Sequence, residues 1–116
     1  MKPENVFECE AQGSPLRTIR DATDIISKAW EQRATVVAIP AGRLDDDFFR
    51  LRTGVAGEIL QKFVTYQLRV AIVGDISKHV SESSALRDFV HESNRGDHVW
   101  FVADLDELLK RLETPR

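Results

Sequence analysis

Between Arg43 and Phe63 the chain reads RLDDDFFRLRTGVAGEILQKF, and this run gathers the residue types most able to do chemistry. Three acids, Asp45, Asp46 and Asp47, lead into the paired rings Phe48 and Phe49. Arg50 and Arg52 follow, directly before Thr53-Gly54. Beyond Gly54, the residues Ala56, Ile59, Leu60, Phe63 and Val64 recur at helical spacing, which predicts an amphipathic helix with Thr53 as its N-cap. The start of a helix presents unpaired N–H groups and a partial positive charge. With Arg50 and Arg52 beside it, the Thr53-Gly54 junction is expected to hold a phosphate or carboxylate, or to act as a switch on phosphorylation of Thr53.

That junction binds but supplies no reaction. Thr53-Gly54-Val55-Ala56-Gly57 lacks both the lysine of a phosphate loop and the three-glycine dinucleotide spacing, so Gly54 and Gly57 are read as packing positions. Asp45 to Asp47 lack calcium-loop spacing and are read as a solvated loop that favours a nearby helical turn. His79, His91 and His98 share no metal-pair spacing, so no metal and no cofactor is expected. Cys9 falls in a first strand without a helix N-terminus or basic neighbour to lower its pKa, and is read as a structural thiol. The sequence thus favours a non-catalytic regulatory or binding module. The alternative is a small enzyme acting on an acidic or phosphorylated small molecule through Arg52, Glu58 and Asp75.

Alternating elements must position these groups. Val6 to Glu10 is expected as a first strand. Thr18 with Asp21 caps a helix to about Gln32, whose inner face is Ala22, Ile25, Ile26, Ala29 and Trp30. Thr35–Ile39 and Leu68–Val73 read as interior strands, Ser81–Ser93 as a helix stopped by Asn94-Arg95-Gly96, and His98–Ala103 as the last strand. Leu105, Leu108, Leu109 and Leu112 mark a final helix. This order predicts one α/β domain over residues 1–116, with a central, mostly parallel sheet of about four strands, helices packed on it, and frayed ends at 1–5 and 113–116. Ligands of such sheets bind beyond the carboxyl ends of the strands, which adds Arg43, Asp75, Ser77, Lys78 and Asp104 as cleft candidates. Trp100 and Phe101 point to opposite faces of their strand, and both are expected in the core. Paired aromatics in an acidic loop are costly to leave in water, so self-association or binding of a protein partner is expected through a surface containing Phe48, Phe49 or Trp100.

Of 116 residues, 42% are hydrophobic and 30% charged, which suits a single core. Sixteen basic against 19 acidic residues give a net charge of −3, and no basic run exists to engage a nucleic acid. A lone cysteine points to a reducing cytoplasm. The charged residues of MKPENVFECE are unlike a secretory signal, and no apolar run approaches the roughly 18 to 20 residues of a membrane span.

The segments DFFRLRTGVAGEILQKF, LRVAIVGDISK, LRDFVHESNRG and VWFVAD together resemble the bacterial family called domain of unknown function 4180. The resemblance covers nearly the whole chain and implies no established activity. It also implies a first hairpin, for which the region before Leu16 is short. A looser similarity is to sulfate-transporter and anti-sigma-factor-antagonist domains. These share the strand-helix order and carry a phosphorylatable serine or threonine followed by glycine at a helix start, the place Thr53-Gly54 takes here. This chain departs from them in the ten-residue stretch from Gly42 to Leu51, where those domains have an aspartate directly after a strand.

Overall fold

Apolar runs that alternate with amphipathic helices bury both faces of each strand most simply in a parallel sheet joined by helical crossovers. The computed structural model describes residues 5–113 and has this arrangement. Strands β1 (Val6–Glu8), β2 (Val36–Pro40), β3 (Arg69–Val73) and β4 (Val99–Val102) lie in the order β1-β2-β3-β4 with every neighbouring pair parallel. The sheet is wholly parallel, and the Leu68–Val73 run forms an interior strand as expected. Among the described residues six helices accompany it: α1 (Ile19–Glu31), α2 (Asp46–Phe49), α3 (Val55–Thr65), α4 (Ser77–Glu82), α5 (Ser84–Arg95) and α6 (Leu105–Glu113).

Consecutive parallel neighbours joined by crossovers of one hand place their connecting helices on one face. Val37, Ile39, Val70, Ile72 and Phe101 accordingly share a core with Ile25 and Ile26 of α1, Ile59 and Phe63 of α3 and Leu86 of α5. The alternate residues Val36, Ala38, Ala71, Trp100 and Val102 meet Leu108 of α6 on the other face. Trp100 and Phe101 are therefore both core residues, one on each side.

Local chemistry sets the element ends. Thr18 and Asp21 form the expected capping box: the Asp21 N–H donates to the Thr18 hydroxyl at 3.2 Å, and the Thr18 N–H to the Asp21 carboxylate at 3.0 Å. The helix expected over Ser81–Ser93 is two helices, α4 and α5. Ser83 is extended between them, and its hydroxyl accepts the Leu86 N–H at 3.1 Å, a local bond that competes with helix continuation. β1 stops at Glu8 rather than Glu10, although the Cys9 N–H still donates to the Ala38 carbonyl at 2.9 Å. Trp30 turns away from the core, 52% exposed, and rests edge-on against Tyr66 at 5.2 Å.

The expectation of frayed ends falls mainly on residues 1–4 and 114–116, which lie outside the described residues. Asn5 itself is tied in, its carbonyl accepting the Thr35 N–H at 2.9 Å, and Glu113 is the last residue of α6.

Candidate functional site

The site is built on the connection between β2 and α3. Asp45 opens α2: its carboxylate accepts the Phe48 N–H at 3.3 Å and takes the Arg17 guanidinium at 2.8 Å. α2 drives both rings inward, Phe48 to 1% and Phe49 to 4% exposure, edge to face at 5.3 Å. Burying two phenylalanines contributes about 3–6 kcal/mol together and clamps the whole connection onto α3. Polar residues on either side of the rings are thereby held outward, Asp46 and Asp47 before them and Arg50 and Arg52 after.

A tight turn over Leu51–Thr53 then leads into α3. The residue that caps α3 is Gly54, not Thr53, with φ of 79°, in the left-handed region that glycine adopts most easily. The Thr53 hydroxyl instead pins the junction. It lies 2.8 Å from both the Asp47 and Arg50 carbonyls, to which it donates, and accepts the Val55 N–H at 3.3 Å. The Gly54 N–H is spent on the Leu51 carbonyl at 3.1 Å. The packing role expected for Gly54 and Gly57 does not hold, since a Cβ at either would meet nothing within 4 Å.

Facing this connection is α4. Between them lies an open groove of about 670 Å³, lined on one wall by Asp46, Phe49, Arg50 and Arg52 and on the other by Lys78, His79 and Glu82. The His79 ring stacks flat on Phe49 at 4.2 Å with 12° between planes, so the buried ring fixes the imidazole at the groove. Arg50 sits 3.5 Å from Asp47, an exposed pair that contributes little. Among the described residues, neither the Arg52 guanidinium nor the Lys78 ammonium has an ion-pair partner.

Of the sequence candidates, Arg50, Arg52 and Lys78 thus come together, and Thr53 and Gly54 hold that wall. The others go elsewhere. Asp75 accepts the Ser77 N–H at 2.9 Å to start α4, and the backbone and hydroxyl of Ser77 hold its carboxyl below the usual carboxylate range. Asp104 does the same for α6, accepting the Glu107 N–H at 2.9 Å. Arg43 donates to the carbonyls of Ser14 at 3.1 Å and Glu10 at 2.9 Å, beside a separate groove that includes Cys9 and Lys28. Glu58 is exposed on α3 rather than set among apolar neighbours.

Two further expectations are corrected. Phe48, Phe49 and Trp100 form no exposed partner surface. The two phenylalanines lie inside the chain's own core, and Trp100, 3% exposed, donates its indole N–H to the Gly96 carbonyl at 2.8 Å with the Arg111 guanidinium 4.4 Å above its ring. Cys9 does have basic neighbours in space. Burial nevertheless dominates the pull of Arg43 and Lys28 and pushes its thiol up to about 11, so the structural reading of this thiol stands.

Sequence reasoning missed His79 and Glu82 as groove residues, since neither sits in a motif. It also read Asn94 only as a helix stop. The Asn94 side chain accepts the Phe101 N–H at 2.7 Å and donates to the Phe101 carbonyl at 3.2 Å, occupying the outer edge of β4 as a short strand would. Among the described residues no three His, Cys, Asp or Glu side chains gather as a metal site, and no helix is long and apolar enough to cross a membrane.

A family model described as Domain of unknown function (DUF4180) matches residues 1–112. The chain belongs to the DUF4180 family. No curated protein and no solved structure matches it. The segments that carry the DUF4180 resemblance can now be given physical roles in this chain. The paired phenylalanines anchor the groove wall, Thr53-Gly54 turns the chain into α3, and Asn94 closes the sheet edge. Gly74, with φ of 140°, lets β3 leave the sheet where a Cβ would stand 3.0 Å from the Ala41 Cβ, and Asp75 then starts α4.

Proposed function

We propose that this DUF4180 domain is a non-catalytic binding module that takes a phosphate- or carboxylate-bearing ligand in the groove between residues 46–53 and α4. One observation carries the reading: Arg52 and Lys78 face the same open groove from opposite walls, and both lack an ion-pair partner among the described residues. Arg50 and His79 add donors on the same walls. Guanidinium groups suit this task because their forked N–H donors match two oxygens of one anion. A cytoplasmic setting accords with the single buried thiol of Cys9.

The enzymatic alternative has less support. Glu58 and Asp75 are exposed, and neither lines the groove with Arg52. An open groove also favours binding over chemistry that needs water excluded. Regulation through Thr53 is a second reading with its own observation. A phosphorylated Thr53 loses the proton it donates to the Asp47 and Arg50 carbonyls, so the modification would loosen the wall that presents Arg50 and Arg52.

Thermal shift and calorimetry with inorganic phosphate and pyrophosphate test the proposal. Saturable binding stabilises the native state by about 2.7 kcal/mol at 100 times the dissociation constant. Arg52→Ala and Lys78→Ala are expected to abolish the shift while Arg33→Ala, in the turn after α1, preserves it. No saturable shift, or equal response of all three variants, refutes the anion site.

A further inference from the structure

Building on the anion reading of the groove, we infer that its ligand is a single phosphorylated serine or threonine within a peptide segment of a partner protein, with basic residues flanking the phosphate. The charge pattern of the lining points there. Each wall carries a cation and one exposed acid: Arg50 and Arg52 with Asp46 on the first, and Lys78, next to the His79 imidazole, with Glu82 on the second. Cations from both walls suit one dianionic phosphate held by several charge-assisted bonds. A polyanion, whether a nucleotide triphosphate, a nucleic acid or an anionic membrane, brings further negative charge against Asp46 and Glu82. Lysine or arginine beside the phosphate pairs with those two carboxylates instead.

The shape agrees with a chain segment. Pockets for free small molecules enclose most of the ligand surface, whereas this groove stays partly open to solvent. A peptide lying across it gains contacts on both sides of the phosphate, the mode by which arginine clusters read phosphorylated motifs. The stacked pair of His79 on Phe49 gives the groove one ring of fixed orientation against which such a segment rests.

Fluorescence anisotropy with labelled peptides separates this inference from the anion reading beneath it. The probes are a short phosphoserine peptide with lysine flanks, its unphosphorylated twin, and a phosphoserine peptide with glutamate flanks. Inorganic phosphate, pyrophosphate and ATP serve as competitors. The lysine-flanked phosphopeptide is expected to bind about 10-fold or more tighter than either control peptide, equivalent to about 1.4 kcal/mol. Glu82→Gln is expected to erase the preference for lysine flanks while keeping the dependence on phosphate, and Arg52→Ala to erase the dependence on phosphate. Both residues are exposed, and unchanged melting in the absence of ligand confirms that each variant is folded. Equal affinity for both flank types, or displacement by phosphate or ATP as effective as by unlabelled phosphopeptide, overturns the inference and leaves the anion site standing. Absence of saturable binding by phosphate and peptides alike removes both.

Discussion

Replacing Asn94 with alanine tests the account of how the sheet ends. The amide makes two half-buried hydrogen bonds to the Phe101 backbone, at 2.7 and 3.2 Å. Each is worth roughly 0.5–1.5 kcal/mol net, and partial solvent access to the freed groups keeps the total near ~2 kcal/mol. The Arg111 guanidinium donates to the Asn94 main-chain carbonyl at 2.7 Å, a bond that alanine retains, so the variant isolates the amide. For a chain of this length the loss corresponds to a melting temperature lower by roughly 6–10 °C. Urea denaturation gives the free energy directly. Asn94→Asp sharpens the test, because its carboxylate still accepts the Phe101 N–H but sets a second oxygen against the Phe101 carbonyl. Its loss at neutral pH is expected to match or exceed that of alanine. A loss below about 0.5 kcal/mol for Asn94→Ala would show that the clamp contributes little and that the β4 edge is closed by other means.

Other substitutions and titrations check separate parts of the structure. Gly57→Ala is expected to stabilise by about 0.5–1 kcal/mol, since α3 has open space there, whereas Gly54→Ala is expected to cost roughly 1–2 kcal/mol at its φ of 79°. Paired urea melts check both signs. Cys9 is expected to react with iodoacetamide at pH 8 about 100-fold more slowly in the folded chain than in urea, because its thiol is raised from 9.0 to about 11. The same shift predicts stability that is intact below pH 9.0 and falls as pH rises toward about 11, since the unfolded thiol ionises first. Asp21 is held below its ordinary value chiefly by the Arg17 backbone N–H, with further bonds from Thr18, and burial opposing. Its contribution is therefore present above the unfolded value near ~3.9 and lost as pH falls through the lower folded value. Asp21→Asn is expected to cost about 0.5–1 kcal/mol at pH 7. That difference should vanish under acid in melts followed by circular dichroism.

The sheet was legible because buried parallel strands leave a strong local trace. Thr35–Ile39 and Leu68–Val73 are apolar, β-branched runs closed by Pro40-Gly42 and Gly74-Asp75, and no competing pattern overlaps them. Phe48 and Phe49 were misread for a specific reason. Neighbours in extended chain point to opposite sides, but in a helical turn they stand only about 100° apart and can both enter one core. α2 has just 4 residues, too short for periodicity to announce it. The groove depends on strand order as well. Arg52 and Lys78 meet because β2 and β3 are neighbours whose carboxyl ends lie side by side, and that adjacency is not written in either segment. His79 likewise gains its place only from a stacking partner on another element.

The central claim is most directly tested by backbone amide NMR of the labelled chain titrated with inorganic phosphate. The account predicts saturable shifts confined to residues 46–54 and 77–83, the two walls of the groove, and their loss in Arg52→Ala. Shifts centred instead on Arg43, Lys28 and the β1 side, or no saturable shifts at all, would contradict it.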